Sequence, residues 1–405
     1  MELLADDLFV DPYPIFERLR RDAPVSPVGG ENAYLVASWE LVAEAAARTE
    51  DFSNHFRFAL HRHSDGRLGV IETGGTGPDV FAGADPPDHG AHRQIFFPKL
   101  VRDRIESLEP YVTAMTDAIL DAELPRRRFD AATDLAHQVP IRVVAERVIG
   151  FADPDCDAIR RWLFEGSRVM GGLVTLDEMA SLGPDTIGLV GWTDDQLDRA
   201  IRSAGRSDVA DNVLGAAAAA VRSGALTHEQ AAFTLMVLVG AGAETTTSLV
   251  GIAIDLLAND LDLQQRLRSN PTEVDAFVEE VLRYDAPFRY HPRTVVRDAT
   301  LGGVEVPEGA LVLLLWASAN RDEDVFEEPD RLRIGRRNVH LHFGFGRGIH
   351  HCVGAPLARL EARVILSRLL ARTSEIAPDP SRHPRFAPSI WVHRHDELPI
   401  LANAG

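Results

Sequence analysis

The chain has 405 residues, 45% hydrophobic and 25% charged, and a formal net charge of −19 at pH 7. That balance suits a packed globule and argues against a nucleic-acid binder, whose affinity rests on Lys and Arg; here acids outnumber bases 61 to 42. The two cysteines, Cys156 and Cys352, stand far apart, which speaks for a reducing compartment rather than a disulfide scaffold.

The N-terminus has neither a basic segment nor a long apolar run, so the expectation is a cytoplasmic protein without leader or membrane anchor. No Pro-, Ser- or charge-rich linker divides the chain. Pro12 and Pro14 lead into a short helix, residues 33–37 read as a strand, and Ser38 stands where it can cap the helix that follows. Residues 56–83, Gly-rich with His61 and His63, show no period and read as a surface loop. Residues 85–100 pass from prolines into a helix on which His89 and Arg93, four apart, share a face. Helical patterns follow from 101 to 222, broken at Gly171, Gly172, Gly183, Pro184 and Gly188.

Thr227 and Gln230 form a capping-box pattern, and the apolar run after them extends to Asp260. A helix of roughly thirty residues spans ~45 Å. Such a length suits a membrane span, but Glu244, Thr245, Thr246 and Thr247 in its middle, with no basic flanks, predict the buried central helix of a soluble protein. Ala241, Gly242 and Ala243 then bring an acid, Glu244, and an alcohol, Thr245, to a buried turn; close helix packing with threonine back-bonding is the competing account. After Asn270 and Pro271 comes a helix with Glu280 and Arg283 as a local pair. Two strand candidates, residues 300–307 and 310–317, follow with turns at Gly302 and Gly303 and at 307–309, and residues 389–401 read as a final hairpin.

Residues 342–356, HFGFGRGIHHCVGAP, place Cys352 between a glycine-rich loop and a helix opened by Pro356. Orphan N–H groups at that helix start favour a thiolate, the form that ligates metal. Taken alone, the loop also reads as a buried structural cysteine. A zinc site built on His340, His342, His350 and His351 lacks paired cysteines, and a nucleotide loop lacks its acidic ribose partner.

Residues 345–354, FGRGIHHCVG, resemble the haem-ligand loop of the cytochrome P-450 haem-thiolate enzymes, and the DPP-x-H-x-x-x-R, AGAETT and E-x-x-R patterns precede it in that family's order. The resemblance spans essentially the whole chain. It implies a mainly α fold with small β-sheets, a single triangular domain over 1–405 with no fused reductase. It further implies a monooxygenase that inserts one oxygen atom from O2 into a small organic substrate, using haem b (iron protoporphyrin IX). Cys352 would be the axial iron ligand. His89, Arg93, Arg293 and His350 would reach the haem propionates, with Phe345, Gly346, Gly354 and Ala241 around the macrocycle. Thr245 and Glu244 would manage protons, and Val239, Ala243, Phe288, Tyr290, His291 and Ile390 would line the substrate pocket. Glu280 and Arg283 would be structural. Leu332 and Arg333 depart from the family, where Phe and Asp are more usual.

Electrons are expected from a separate ferredoxin- or flavodoxin-like donor, guided by a basic patch of Lys99, Arg102, Arg104, Arg347, Arg359 and Arg363. Arg57, Arg62, Arg289 and Tyr290 suggest a polar or carboxylate-bearing substrate. A peroxide-driven enzyme of the same fold, or a non-catalytic haem sensor, are the alternatives. The acid–alcohol pair speaks against the first.

Overall fold

The longest element, the 31-residue helix His228–Ala258, is apolar almost all round and runs through the core. The computed structural model describes residues 5–55, 57–73, 77–203 and 211–405, with backbone only at 5, 7 and 183–187. The helix opens with the expected capping box: Thr227 N–H donates to Gln230 Oε1 (2.9 Å) and Gln230 N–H to Thr227 Oγ1 (3.1 Å). Its length and hydropathy would suffice for a membrane span, yet it is sheathed by Gln138–Arg142, Gly183–Ser203, Val213–Ser223 and Ala355–Arg372. It stops at Ala258, two residues before the expected end, because Asp260 caps the next helix by accepting the Leu263 N–H (2.9 Å).

Beside this helical body lies a five-stranded sheet in the order Val25–Pro27, Ala33–Val36, Leu311–Leu314, His291–Val295, Phe52–Ser53. Ala33–Val36 and Leu311–Leu314 run parallel and the other pairs antiparallel. Gly302 (φ +57°) and Gly303 (φ +77°) turn the hairpin of Ala299–Leu301 with Val304–Val306, a conformation that favours glycine.

Four expectations are corrected. Within 56–83, Phe58–Arg62 pairs with Leu68–Glu72 as a β-hairpin rather than forming a loop; Phe56 and residues 74–76 lie outside the described residues. A Cβ at Gly69 would come within 2.5 Å of His61 Nε2, so the glycine that made the segment look irregular is what the hairpin's histidines require. Gly183, Pro184 and Gly188 do not break a helix but begin one, Gly183–Ser203. Proline is tolerated there because a first-turn N–H has no intrahelical partner, and a Cβ at Gly188 would lie 2.8 Å from Trp162 Nε1 on helix Cys156–Met170. Ser38 makes no side-chain cap; Asp322 Oδ2 accepts the Trp39 N–H instead (2.7 Å). The C-terminal strands find partners elsewhere in the chain: His395–Glu397 pairs Arg385–Phe386, and Pro399–Ala404 pairs both Thr373–Pro378 and Arg128–Asp130.

Glu280 and Arg283 are fully buried and doubly bonded, Nε to Oε2 at 2.9 Å and Nη2 to Oε1 at 2.7 Å. Arg336, which the sequence did not single out, adds a second guanidinium to Glu280 (3.3 Å). The Arg333 N–H donates to Glu280 Oε1 (2.9 Å), so only the backbone of this divergent position joins the network, while Leu332 packs on the core.

A different buried acid has no such support. Glu361, on helix Ala355–Arg372, is fully buried, and neither carboxyl oxygen has a hydrogen-bond partner among the described residues. Burial pushes its pKa well above the usual carboxyl value. The folded state therefore keeps a proton that the unfolded chain releases above about pH 4.3, so this residue costs stability as pH rises. Glu361→Gln should lose less thermal stability than the parent between mildly acidic and mildly alkaline buffer. Parallel melting profiles would show that the carboxyl is not neutral in the core.

Candidate functional site

A cavity opens between the middle of the long helix and the loop that carries Cys352. Ala241 and Thr245 contribute one wall, while Phe345, Cys352 and Gly354 contribute another. His89, Arg93, His291 and His350 line it too, as do Phe288 and Trp316.

The loop presents its sulfur through backbone bonds. Cys352 N–H donates to Phe345 O (2.9 Å), and the amides of Gly354 and Ala355, at the start of helix Ala355–Arg372, donate to the sulfur. Burial raises the thiol pKa, while those amides and the charges of Arg93 and Arg359 pull it down. Gly346 (φ +63°) and Gly348 (φ +68°) adopt the left-handed turn the loop needs, and a Cβ at Gly354 would sit 3.7 Å from the sulfur. His342 is committed elsewhere, with Nδ1 accepting the Gly344 N–H (2.9 Å) and Nε2 against Glu279 (3.3 Å), which removes it from a zinc site.

Basic side chains gather around one part of the cavity, His89, Arg93 and His350 in its lining and Arg293 behind it, joined to the lining residue His291. The rings of His89 and His350 lie 4.2 Å apart, and Arg293 Nη1 reaches His291 Nδ1 (2.6 Å) and Pro292 O (2.8 Å). Arg293 Nε and His350 Nε2 are buried without hydrogen-bond partners among the described residues. Burial brings Arg293 down to about 10, and burial with the positive charge of His89, Arg293 and Arg93 brings His350 down to about 3. The nearby acid, Asp85, already accepts from Ser53 Oγ (2.5 Å) and Asn54 N–H (3.2 Å). A ligand carrying two carboxylates supplies the acceptors these donors lack, so the residues fit the propionate edge of a haem as the sulfur fits its iron.

The acid and the alcohol part company. Thr245 lines the cavity and its Oγ1 donates to Ala241 O (2.7 Å). Glu244, buried, is absent from the lining; it pairs with Arg394 and accepts from Ser167 Oγ (2.8 Å) on helix Cys156–Met170. Burial pushes its carboxyl up, against the pull of Arg394 and Ser167.

Comparison with known proteins decides the family. The cytochrome P450 family model matches residues 194–393. Cytochrome P450 144 of Mycobacterium tuberculosis is 37% identical over 393 residues, covering 96% of this chain and 88% of that protein. The chain belongs to the cytochrome P450 family. Vitamin D(3) 25-hydroxylase of Pseudonocardia autotrophica is 31% identical over 93% of this P450 and 90% of its own length. The solved structure of CYP109E1 from Bacillus megaterium in complex with testosterone superposes with a TM-score of 0.85 at 27% identity, covering 99% of this chain and 100% of that one. The fold is thus the P450 fold, and the chain is a haem-thiolate oxidoreductase of the monooxygenase class.

Of the side chains expected around the substrate, this P450 brings Phe288 and His291 to the cavity. On the long helix the lining stripe is Leu238, Ala241, Thr245 and Leu249, spaced by three and four; Val239 and Ala243 fall off that stripe and are fully buried. Tyr290 and Ile390 sit in a separate core cluster with Leu8, Phe16 and Leu60, where Tyr290 OH donates to Met170 O (3.3 Å). The expected carboxylate-binding cations are no nearer. Arg57 is exposed, Arg62 pairs with Asp6 (2.6 Å), and Arg289 donates to the carbonyls of Leu8 and Phe9 (3.1 Å each). The walls contain instead Phe81, Val144, Val148, Val237 and Leu238.

Proposed function

We propose that this P450 binds haem b through Cys352 and oxidises a neutral, largely apolar small molecule, most simply by hydroxylation. In this reading it is one domain over 1–405 that works in the cytoplasm and draws electrons from a separate ferredoxin- or flavodoxin-like protein. The observation that carries it is a cysteine sulfur, capped by two helix-start amides, in the same cavity as the Thr245 hydroxyl and a group of unbalanced basic donors. Bound there, a thiolate-ligated haem supplies reductive cleavage of the O–O bond. His89, Arg93, Arg293 and His350 hold its carboxylates, while Phe345, Gly354 and Ala241 shape the slot and Gly346, outside the lining, turns the loop behind it. Apolar side chains such as Val144 and Leu238 exclude water and recognise substrate by shape. Testosterone, in the structural neighbour, is a molecule of that class.

Thr245 holds a proton at Oγ1 on the cavity wall. Glu244 restores it by leaving Arg394 and Ser167, its partners at rest, taking a proton from solvent and passing it on. The hydroxyl on the cavity wall favours O2-dependent chemistry over a peroxide-driven enzyme, which takes its oxidant already protonated and would be expected to dispense with the acid–alcohol pair. One experiment tests both halves. Wild type and Thr245→Ala are titrated with a neutral steroid and with a fatty acid of similar size, and electron uptake is compared with product. Only the steroid should shift the haem spectrum, in both proteins, and the variant should form product on the order of 10² more slowly at undiminished electron uptake. A shift with the fatty acid alone would sink the substrate reading, and full coupling in the variant the role of Thr245.

A further inference from the structure

The cations expected to form a basic patch on the cysteine side are held by acids of the same chain. Lys99 and Arg104 share Asp211, Arg359 grips Glu279 (2.5 Å), Arg363 grips Glu109 (2.8 Å), and Arg102 faces Glu106 (3.8 Å). A neutral donor in the cavity wall has no such partner. Trp316 lines the cavity and is 8% exposed, and its Nε1 is buried without a hydrogen-bond partner among the described residues. An indole N–H can only donate, and when buried it usually finds an acceptor.

The fold places this donor in the basic corner. Trp316 opens the short helix Trp316–Ala319 just after strand Leu311–Leu314, whose pairing sets Leu314 opposite His291 and Val312 opposite Arg293. Its ring stacks on the His291 imidazole, with centroids 5.0 Å apart and 25° between the planes, and Arg293 Nη1 holds that imidazole (2.6 Å). The benzo edge of the same indole meets the cysteine loop, where a Cβ at Gly346 would lie 3.4 Å from Cη2. Trp316 thus links the Arg293 end of the basic group to the loop that presents the sulfur. Its Nε1 joins Arg293 Nε and His350 Nε2 as a buried donor lacking an acceptor. Among the described residues no Asp or Glu lines the cavity, so a carboxylate facing these donors must arrive with the ligand.

We propose that the Trp316 indole N–H donates to a carboxylate of the bound haem, as a neutral, directional third donor beside Arg293 and His350. This rests on the haem-thiolate reading above and adds a residue that none of the sequence patterns singled out.

The test compares wild type with Trp316→Phe, which keeps a ring against His291 and removes the N–H. Each is loaded with haem or with haem dimethyl ester, in which both carboxylates have lost their charge, and release to excess apomyoglobin is followed in the Soret band. With haem the variant should release ~10-fold faster, the effect of losing one hydrogen bond to a charged group. With the ester the difference should shrink to about threefold or less, because only a neutral acceptor is left. The propionate bending band in the resonance Raman spectrum of the haem-loaded protein should also move in the variant. Equal release of haem from both proteins, an equal penalty with haem and ester, or an unmoved bending band overturns the proposal, the second by making Trp316 a packing residue alone. A wild type that takes up no haem overturns the haem-thiolate reading itself.

Discussion

Replacing Cys352 by Ser is expected to abolish oxygenation while leaving the protein folded and able to take up haem. The loop's conformation is set by the turn at Gly346 and Gly348 and by the bond from Cys352 N–H to Phe345 O, neither of which needs sulfur. In the proposed reading haem retention draws on His89, Arg93, Arg293 and His350 and on the apolar walls, so a variant protein with haem in it is the anticipated product. What is lost is electron donation from sulfur, which favours O–O cleavage, and with it the long-wavelength Soret band of the reduced carbonyl complex. The rate of product formation should fall on the order of 10³ or more, a loss of about 4 kcal/mol in transition-state stabilisation. An unchanged carbonyl spectrum, or activity near the parent's, would remove Cys352 from the iron.

Glu280→Ala is expected to be the most damaging single substitution outside the cavity. It leaves the guanidinium groups of Arg283 and Arg336 in the core without their carboxylate, and breaking a buried pair in this way costs roughly 3–5 kcal/mol. Against a typical net stability of about 5–15 kcal/mol, that is a large share. The loss should propagate to the site. Arg283 also holds the carbonyls of Asn320 (3.0 Å) and Pro329 (2.8 Å), and Asn320 Oδ1 accepts the Phe343 N–H (2.6 Å) at the head of the cysteine loop. Low soluble yield, low haem content and an early denaturation midpoint are the expected readouts, with Glu280→Gln intermediate because it keeps two acceptor sites. A melting temperature within about 2 °C of the parent's would show that the two arginines find other partners.

The elements legible in the sequence were those whose determinants are local. The long helix announces itself by a capping box and an uninterrupted apolar run, and the cysteine loop by glycines at fixed spacing before a helix start. Illegible features depend on partners remote in the chain. Arg394, 150 positions beyond Glu244, takes that acid out of the cavity. Asp211, Glu279 and Glu109 neutralise cations that looked free. The hairpin Phe58–Arg62 with Leu68–Glu72 hid because its apolar residues run side by side, Phe58, Ala59 and Leu60 on one strand and Val70 and Ile71 on the other, so no alternation stood out. The pocket error was one of phase. Being near Thr245 in sequence does not put a residue on its face of the helix, and Val239 and Ala243 are turned away.

The parallel pairing of Ala33–Val36 with Leu311–Leu314 has a consequence for biosynthesis. A ribosome adding roughly 5–20 residues each second needs tens of seconds to travel from one strand to the other. Throughout that interval an apolar ribbon near the front of the chain has no neighbour on one edge, the condition in which nascent polypeptides aggregate. Productive expression therefore depends on slow growth temperature or chaperone supply early, and on porphyrin supply only once the last quarter of the chain has emerged.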